Sequence, residues 1–446
     1  MKSFITNYLC LLFIVLIHFT YKCYSILPEV SQHHMTGKYY HIDANLIYDH
    51  PYSKCYILMN ALKRFNERLT LIKQYPKIPM HISNTTIHKM KIFITNECNE
   101  TNNELWPSEF MNETYSILIF SEKIILQAEE IWGILHGLET ILQLIYRSPL
   151  ETNIIEGGLI SDEPLFSHRG FLIDTSRHYL SIKEIEKFID AMSMVKMNVL
   201  HWHIVDDQSF PYVSEKFPKL SIKLYKELFS VFRDNWFHLG GDEVDYGCWR
   251  SNPLVIEFMK QMKFGDDYRH LEGYYINRLI QIINDIKPPA RNITPVVWQE
   301  IFQNGFRGDK STVIHVWKSS DWKSVMKNIT QSGYRVLFSA AWYLNLISYG
   351  NDWKNYYQVD PRDFGGSKED EQLVIGGEAT MWGEYVDDTN LFSRSWPRGS
   401  AVAERLWSKN SPNVADFTLR VEELRCRMLS RGWNAEPING PGFCPV

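Results

Sequence analysis

Apolar residues recur along the chain with two different spacings, and these spacings predict its secondary structure. Between residues 26 and 160, helical spacing predicts helices over 53–72 and 131–145, whereas apolar runs at 90–95 and 115–128 predict strands. We therefore predict an α/β domain over 26–160. The sequence LISDEPLFSHRG, which follows it, is predicted to cross into the next domain.

From Gly170 onward, short continuous apolar runs alternate with amphipathic helices. The seven runs are GFLID, NVLHWH, WFHLGG, PVVWQ, TVIHVW, RVLFSA and LVIGG, and helices are predicted over 182–196, 221–233, 271–285 and 321–331. Continuous apolar strands that alternate with helices indicate buried parallel strands, in a barrel or an open doubly wound sheet. A nucleotide-binding sheet is disfavoured because no Gly-rich phosphate loop follows the first strand.

Polar and aromatic side chains gather where these predicted strands end. In a barrel of parallel strands, the active site is built from the carboxyl ends of the strands. We therefore predict an α/β fold with a TIM-like barrel over 166–446, one strand short of the usual eight, behind the smaller 26–160 domain. The residues at the strand ends are Arg177, Asp206, Asp242, Glu243, Trp298, Trp317, Tyr343 and Glu384.

The adjacent acids Asp242 and Glu243 follow an apolar strand and a Gly-Gly turn in HLGGDEV. Neighbours inside a strand point to opposite faces, but at a strand end the backbone can turn and direct both acids into one pocket. Two close carboxyl groups repel when ionised, so one pKa rises while the other stays low. This pairing suits a general acid beside a permanent anion, although an Asp-Glu pair can also simply cap a helix.

Composition and targeting signals narrow the class of protein. A net charge of −5 without a basic stripe argues against a nucleic-acid partner. Lys2 followed by the apolar run Tyr8–Thr20 predicts a signal peptide over 1–25, with an uncleaved anchor as the alternative. We predict no other membrane anchor. Five glycosylation sequons support a secretory route, to the lysosome or the exterior: Asn84, Asn99, Asn112, Asn292 and Asn328.

The cysteine count is odd once the signal peptide is removed. Five cysteines remain in a compartment that oxidises thiols, and Cys55 with Cys98, and Cys426 with Cys444, form sensible local pairs. Cys248 is left without a partner.

HLGGDEV resembles the signature of the family 20 glycoside hydrolases, the β-N-acetylhexosaminidases. HRGFLIDTSRHYL, NVLHWHIVDDQSFP, VVWQE, WYLNLISYG, GGEATMWGEYVD and WPRGSAVAERLW resemble the animal lysosomal members in order, from about residue 30 to the C-terminus. The resemblance implies a retaining mechanism in which the 2-acetamido group of the substrate is the nucleophile. It also implies a glycan substrate with terminal β-linked N-acetylglucosamine or N-acetylgalactosamine, no cofactor or metal, and a homodimer.

The resemblance also implies roles for individual residues. Glu243 matches the general acid, Asp242 the group that holds the acetamido nitrogen, and Tyr343 the donor to the acetamido oxygen. Asp206 matches a residue that tunes the acid through an intervening histidine. The remaining matches surround the sugar: Trp298, Trp317 and Trp382 box the ring and methyl group, Arg177 and Glu384 hold hydroxyls, and Asn345 stands where the family varies between Asn and Asp. Judged alone, each tryptophan would be expected to pack a core, and Arg177 to form a structural ion pair.

The chain departs from this family after FPKLS, residues 217–221. Members of the family carry one more βα unit here, with a motif like PEFDTPGH, and this unit supplies the coupling histidine and the partner of Cys248. The seven-strand count and the unpaired Cys248 agree with its absence. We therefore expect this chain to be weakly active or inactive, or to be a splice or gene-model variant of an active enzyme.

Two other functions fit part of the sequence. A sugar-binding protein without turnover would keep the same stacking aromatics. A metal-dependent hydrolase would use His201 and His203, which form an H-x-H at a strand end, with His238 on the next strand. After His238 only His270 and His315 remain as further ligands, and His270 falls in a predicted helix; hydrogen-bonded buried histidines explain His201 and His203 more simply.

Overall fold

The computed structural model describes residues 26–74, 81–101, 105–206, 223–346, 348, 350–439 and 443–444. The predicted signal peptide and the junction at Ser221 lie outside these residues. The chain forms two compact units. The first comprises the described residues up to Glu100, Glu113–Glu163 and Asn410–Val446, and the second comprises Thr101–Asn112 and Pro164–Lys409. No helix in the described part is long and apolar enough to cross a membrane.

Strands and helices follow one another along both units. The strands are β1 Gln32–Asp49, β2 His81–Ile94, β3 Tyr115–Phe120, β4 Lys123–Ala128, β5 Ile145–Arg147, β6 Asn153–Asp162, β7 His168–Asp174, β8 Val199–His203, β9 Trp236–His238, β10 Thr294–Trp298, β11 Val313–Val316, β12 Arg335–Phe338 and β13 Val374–Met381. The helices are α1 Tyr56–Leu69, α2 Ile131–Leu144, α3 Ile182–Met194, α4 Lys223–Val231, α5 Gly247–Ser251, α6 Pro253–Met262, α7 Tyr268–Ile286, α8 Gln299–Gln303, α9 Trp322–Gln331, α10 Trp353–Gln358, α11 Lys368–Gln372, α12 Leu391–Ser395, α13 Gly399–Trp407 and α14 Val414–Ser430.

The first unit is built on a six-stranded mixed sheet in the order β1-β2-β4-β3-β6-β5, with β1 also pairing antiparallel to β6. The predicted α1, α2, β2, β3 and β4 are all present. Leu159–Asp162 belongs to β6, so the first four residues of the predicted crossing between domains are still strand. Disulfides join Cys55 to Cys98 and Cys426 to Cys444, the two expected pairs, with Cα–Cα separations of 5.3 and 5.1 Å.

The C-terminal helix α14 packs with the first unit rather than with the parallel strands. Its buried Arg427 donates to the carbonyl oxygens of Leu142 (3.1 Å) and Gln143 (2.7 Å) at the end of α2, and pairs with Glu423 (2.8 Å). The last carbonyls of a helix lack partners within the helix and carry partial negative charge, so a guanidinium there satisfies them. Residues 410–446, which the sequence places with the barrel, are therefore part of the first unit.

The second unit contains seven parallel strands in the order β8-β7-β13-β12-β11-β10-β9. The seven apolar runs of the sequence correspond to these seven strands. The order is cyclic, because β13, the last strand of the chain, pairs with β7, the first strand of the sheet, from Gly376↔His168 to Met381↔Ile173. The strands thus follow the order of a barrel that is open between β8 and β9, which do not pair with each other in the described part.

A polar layer lies on the inner face of this curled sheet. Glu378 on β13 lies opposite Gly170 on β7, and a Cβ atom at Gly170 would stand 2.5 Å from the Glu378 side chain. A glycine is therefore required at Gly170 for the carboxylate to occupy this position. Outside the sheet, Phe171 packs on Phe188 of α3 and on Trp396, with ring centroids 4.8 and 5.4 Å apart.

The sequons have accessible side chains. Asn84, Asn99, Asn292 and Asn328 are exposed and Asn112 is partly exposed. Glycosylation at these sites stays a prediction that the fold permits.

The aromatic cluster outside β7 gives a stability prediction. Phe171 is fully buried, so Phe171→Ala removes its ring from Phe188 and Trp396 and is expected to lower the free energy of unfolding by about 3–5 kcal/mol. Urea denaturation followed by tryptophan fluorescence measures the loss. Phe110→Ala is the matched control: Phe110 is 86% exposed in the same unit, and its loss is expected to stay within about 0.5 kcal/mol. Equal losses for the two variants would contradict the packing described here.

Candidate active site

The turn after β9 places the paired acids at the mouth of the strands. Gly240 and Gly241 have positive φ angles of 75° and 95°, and a Cβ at Gly241 would stand 2.4 Å from Ile301. Only glycine fits this turn without strain. Glu243 also has a positive φ of 47°, which is uncommon for a residue with a side chain. Such strain occurs most often at functional sites.

Four aromatic rings form a closed ring beside these acids. Trp298, Trp317, Tyr343 and Trp382 come from the ends of β10, β11, β12 and β13 in turn. Each ring contacts the next, with centroids 6.2 Å apart from Trp298 to Trp317 and from Trp317 to Tyr343, 6.4 Å from Tyr343 to Trp382, and 6.2 Å from Trp382 back to Trp298. We call this set the aromatic box. Its walls suit the faces of a sugar ring and an amide methyl group.

The acids lie close enough to the aromatic box to act on it electrostatically. Burial raises the pKa of the Tyr343 hydroxyl, and the negative charges of Asp242, Glu300 and Glu243 raise it further. The phenol therefore keeps its proton at neutral and acid pH and can donate a hydrogen bond. Asp242, Glu243 and Tyr343, from the ends of β9 and β12, share one electrostatic environment.

Asp242 is an unusually weak acid for an aspartate. Although part of its surface is accessible, desolvation raises the pKa of its carboxyl to about 6, and the charges of Glu300, Asp206 and Glu243 add to the rise. Four acidic groups therefore converge here, and their charges repel any further negative charge. A ligand with a positive or polarised N–H group would relieve this repulsion.

Arg177 stands at the centre of a second group of site residues. Its guanidinium pairs with Asp206 (2.6 Å), Asp174 (2.8 Å) and Glu384 (3.5 Å), and lies 5.3 Å from the centroid of Trp382. The ion pairs confirm the structural role considered for Arg177. The stacking on Trp382 also places it against the aromatic box, where its remaining N–H groups can reach a ligand.

His203 is a partner of Asp206 that the sequence had not singled out. The two side chains are 2.9 Å apart, and the His203 ring lies edge-on to Trp382 at 4.8 Å. Burial lowers the pKa of His203, although Asp206 opposes this. His203 thus holds Asp206, and the histidine that the resemblance implies between Asp206 and Glu243 stays a separate expectation. The H-x-H spacing, with an acid three residues later, was the available signal.

Glu300 is a second residue whose role was missed. It is the second residue of α8, just after β10, and is 8% exposed. It accepts a hydrogen bond from the Trp317 indole (2.9 Å) and pairs with Lys318 (2.8 Å). Glu300 thus fixes the orientation of one wall of the box. An acid directly after a strand end, in VVWQE, was its signal in the sequence.

Asn345 presents an unpaired polar atom. Its side-chain oxygen is buried and has no hydrogen-bond partner among the described residues, whereas its backbone carbonyl accepts from Arg394 (2.6 Å). Buried polar atoms are almost always paired in folded proteins, so this oxygen is a candidate for contact with a ligand.

The histidines considered as metal ligands separate into two groups. His203 contacts Asp206 as described, and His270 lies exposed on α7. His201, His238 and His315 instead converge inside the sheet, where the carboxylate of Glu378 lies 2.8 Å from the His201 ring. Burial lowers the pKa of His238 well below its usual value and that of His315 to about 3. The metal-dependent arrangement expected from the H-x-H therefore does not form at the strand ends.

Comparisons with known proteins identify the family. A model of the glycosyl hydrolase family 20 catalytic domain matches residues 166–223 and 221–410, and a "beta-acetyl hexosaminidase like" model matches 26–144. The β-hexosaminidase subunit beta of Mus musculus is 39% identical over 87% of this chain and 86% of its own length, and the subunit alpha is 37% identical over 87% and 88%. The structure of a Flavobacterium johnsoniae chitobiase is similar in fold, with a TM-score of 0.75 and 23% sequence identity. The match covers 92% of this chain and 73% of the chitobiase chain.

The same comparisons agree with a missing internal segment. The catalytic-domain match is broken into two parts that meet at residues 221–223. The alignment to the mouse subunit beta spans 472 positions but uses 87% of 446 residues, or about 388, so about 84 positions lie opposite gaps in this chain. The break falls between β8 and β9, the same two strands that leave the barrel open. On these matches and this fold, the chain belongs to glycosyl hydrolase family 20.

Proposed function

We propose that this chain is a β-N-acetylhexosaminidase that removes terminal non-reducing N-acetylhexosamine residues from glycoconjugates. The observation that carries the proposal is the aromatic box with the Asp242–Glu243 pair beside it. A closed ring of four aromatics with adjacent acids fits a neutral amino sugar and provides groups for acid catalysis and for contact with its amide.

In the first step, we assign the general acid to Glu243. Its carboxyl group donates a proton to the glycosidic oxygen as the bond to the anomeric carbon breaks. The carbonyl oxygen of the substrate's own 2-acetamido group attacks that carbon and forms an oxazolinium ion, so no enzyme nucleophile is needed. Water then attacks the anomeric carbon and opens the oxazolinium ring, while Glu243 accepts a proton from that water. This step restores the enzyme, and the product retains the anomeric configuration of the substrate.

Asp242 and Tyr343 steer the internal nucleophile in this scheme. The carboxylate of Asp242 accepts from the acetamido N–H and offsets the positive charge that grows on nitrogen. Tyr343, kept protonated, donates to the carbonyl oxygen and holds it toward the anomeric carbon. Such groups are most effective where charge develops in the transition state.

The remaining residues bind the sugar. Trp298, Trp317 and Trp382 stack on the ring and enclose the methyl group, while Arg177, Glu384 and Asn345 take hydroxyls. Asp206 acts on Arg177 through their ion pair, and His203 contacts the same Asp206 oxygen, Oδ2, and so fixes its position. We further propose a secretory-route location, in the lysosome or outside the cell, and a homodimer.

A binding protein without turnover is the competing function. Similarity to proteins named as hexosaminidase subunits over most of both chains favours catalysis. The open position between β8 and β9 is nevertheless expected to reduce activity, because strand number sets the size and shape of a barrel.

Replacing the proposed acid tests the assignment directly. Glu243→Gln cannot protonate the leaving group and is expected to reduce kcat on 4-nitrophenyl N-acetyl-β-glucosaminide by roughly 10²–10⁴-fold, while binding of N-acetylglucosamine persists. Tryptophan fluorescence measures the binding. Glu257→Gln on the surface of α6 is the matched control and should leave kcat unchanged. Wild-type binding without any Glu243-dependent turnover would instead support the binding protein.

The raised pKa of Asp242 predicts a pH dependence. Since the mechanism requires its carboxylate, and this group protonates below about pH 6, kcat/KM should fall up to about tenfold per pH unit below that point. In Asp242→Asn, kcat/KM should be much lower at every pH and should no longer decline below about pH 6. A wild-type decline that starts only near pH 4, or an unchanged decline in the variant, would contradict the assignment.

Restoring the missing βα unit tests its importance. A chain carrying the corresponding segment of the mouse subunit beta at residue 221 is expected to show higher kcat/KM and less aggregation, because both edge strands gain a partner. Activity assays and light scattering compare the two chains side by side. Equal activity in both would show that seven strands suffice.

A further inference from the structure

A cluster of metal-ligating side chains lies on the inner face of the curled sheet. We call it the inner cluster; its residues are His168, His201, His238, His315 and Glu378. One ligand atom each from His201, His315 and Glu378 lies within 4.8 Å of the others. His315 and Glu378 are 0% and 1% exposed, so these donors are fixed by packing rather than spread over a surface.

The strand register brings these donors together. His201 on β8 lies opposite Leu172, and Glu378 on β13 lies opposite Gly170 two residues earlier on β7, so both point to the same face of the sheet. His315 reaches that face from β11, opposite Trp298. The ligand atoms therefore come from three different strands, and a bound ion would link these strands.

Supporting hydrogen bonds orient the donors. Glu378 Oε2 lies 2.8 Å from His201 Nδ1, and the other carboxylate oxygen lies 2.8 Å from His168 Nε2. His315 Nε2 lies 2.9 Å from the Ser339 hydroxyl, and its Nδ1 lies 3.3 Å from His238 Nε2. His168 and Ser339 are thus outer partners of the kind that fix ligand orientation in metal sites, whereas the His201–Glu378 contact joins two of the donors themselves and would give way to a bound ion.

Two histidines of the inner cluster lie on the two end strands of the described sheet. His201 lies on β8 and His238 on β9, the two strands that do not pair with each other in the described part, and their rings stack at 5.0 Å. Both histidines are partly accessible.

We propose that the inner cluster is a structural zinc site in which His201, His315 and Glu378 bind one Zn²⁺. Two imidazoles and one carboxylate form a donor set that suits zinc and disfavours Mg²⁺, which prefers oxygen ligands. The three donor atoms already lie within 4.8 Å of one another, so small movements bring them to the zinc–nitrogen bond lengths of about 2.0–2.1 Å. His238 or a water molecule takes the fourth position. The ion links β8 to β11 and β13 and so tethers the free edge strand of the barrel, apart from the proposed hydrolysis at the strand ends.

Zinc uptake by the full secreted chain tests the proposal. After chelation and dialysis, addition of ZnCl₂ should give about one zinc per chain by elemental analysis and raise Tm by several degrees, whereas MgCl₂ should do neither. All samples carry Cys248→Ser, so that the exposed free thiol of Cys248 cannot bind the ion. The absence of stoichiometric zinc, or an equal response to MgCl₂, would overturn the proposal.

Matched variants locate the bound ion. His315→Gln keeps a polar side chain of similar size and should abolish zinc uptake, whereas His270→Gln, on the exposed face of α7, should retain it. Uptake that survives His315→Gln would overturn the proposed site. If His315→Gln fails to fold, Co²⁺ replaces zinc in the Cys248→Ser chain: visible absorption of a four-coordinate nitrogen–oxygen site supports the proposal, and a six-coordinate aqueous spectrum overturns it.

Discussion

The pairing of β13 with β7 is the contact on which the rest of the second unit depends. It joins the last strand to the first over six consecutive residue pairs, so that seven parallel strands follow a cyclic order. Parallel strands send their carboxyl ends to the same side, and the cyclic order brings those ends into a circle. Trp382 and Glu384 after β13 thereby meet Arg177 after β7, although more than two hundred residues separate them. Without this pairing the aromatic box would lose a wall and the guanidinium would lose its stacking partner.

On the opposite side of the circle, the described strands leave a gap between β8 and β9. β8 and β9 carry backbone groups without partners in the described part, and the inner face between them bears His201 and His238 rather than apolar side chains. Buried polar groups must be paired to be tolerated, and the hydrogen bonds among His168, His201 and Glu378 meet this requirement locally. The catalytic side of the molecule is less affected. The four members of the box follow β10 to β13, which lie on the intact arc.

The sequence predicted the strands well because each is a continuous apolar run, and a run of this kind remains recognisable without knowledge of its neighbours. It also predicted that most of the candidate side chains lie together, because residues at strand ends share a location once the strands are parallel. It did not predict the long polar strand β1, whose sequence lacks an apolar run, or the docking of α14, which depends on Arg427 meeting carbonyls nearly three hundred residues away. Glu300 and His203 left only weak signals in the sequence, because their importance arises from contacts with Trp317 and Asp206 that become visible in the folded chain.

The site departs from the rules that the rest of the fold obeys, and these departures agree with one another. Glu243 adopts a strained backbone angle, the carboxyl of Asp242 has a raised pKa beside other acids, and the Asn345 oxygen is buried without a partner among the described residues. Each costs stability, since each would be more favourable in water or in a relaxed turn. Under the proposed function, an amino sugar offsets two of these costs, because its amide N–H meets a carboxylate and its hydroxyls meet the Asn345 oxygen. In the proposed mechanism, the positive charge that grows on the amide offsets more of the repulsion among the acids than the neutral substrate does. On that proposal, the crowding of acids that lowers stability also favours the transition state over the ground state.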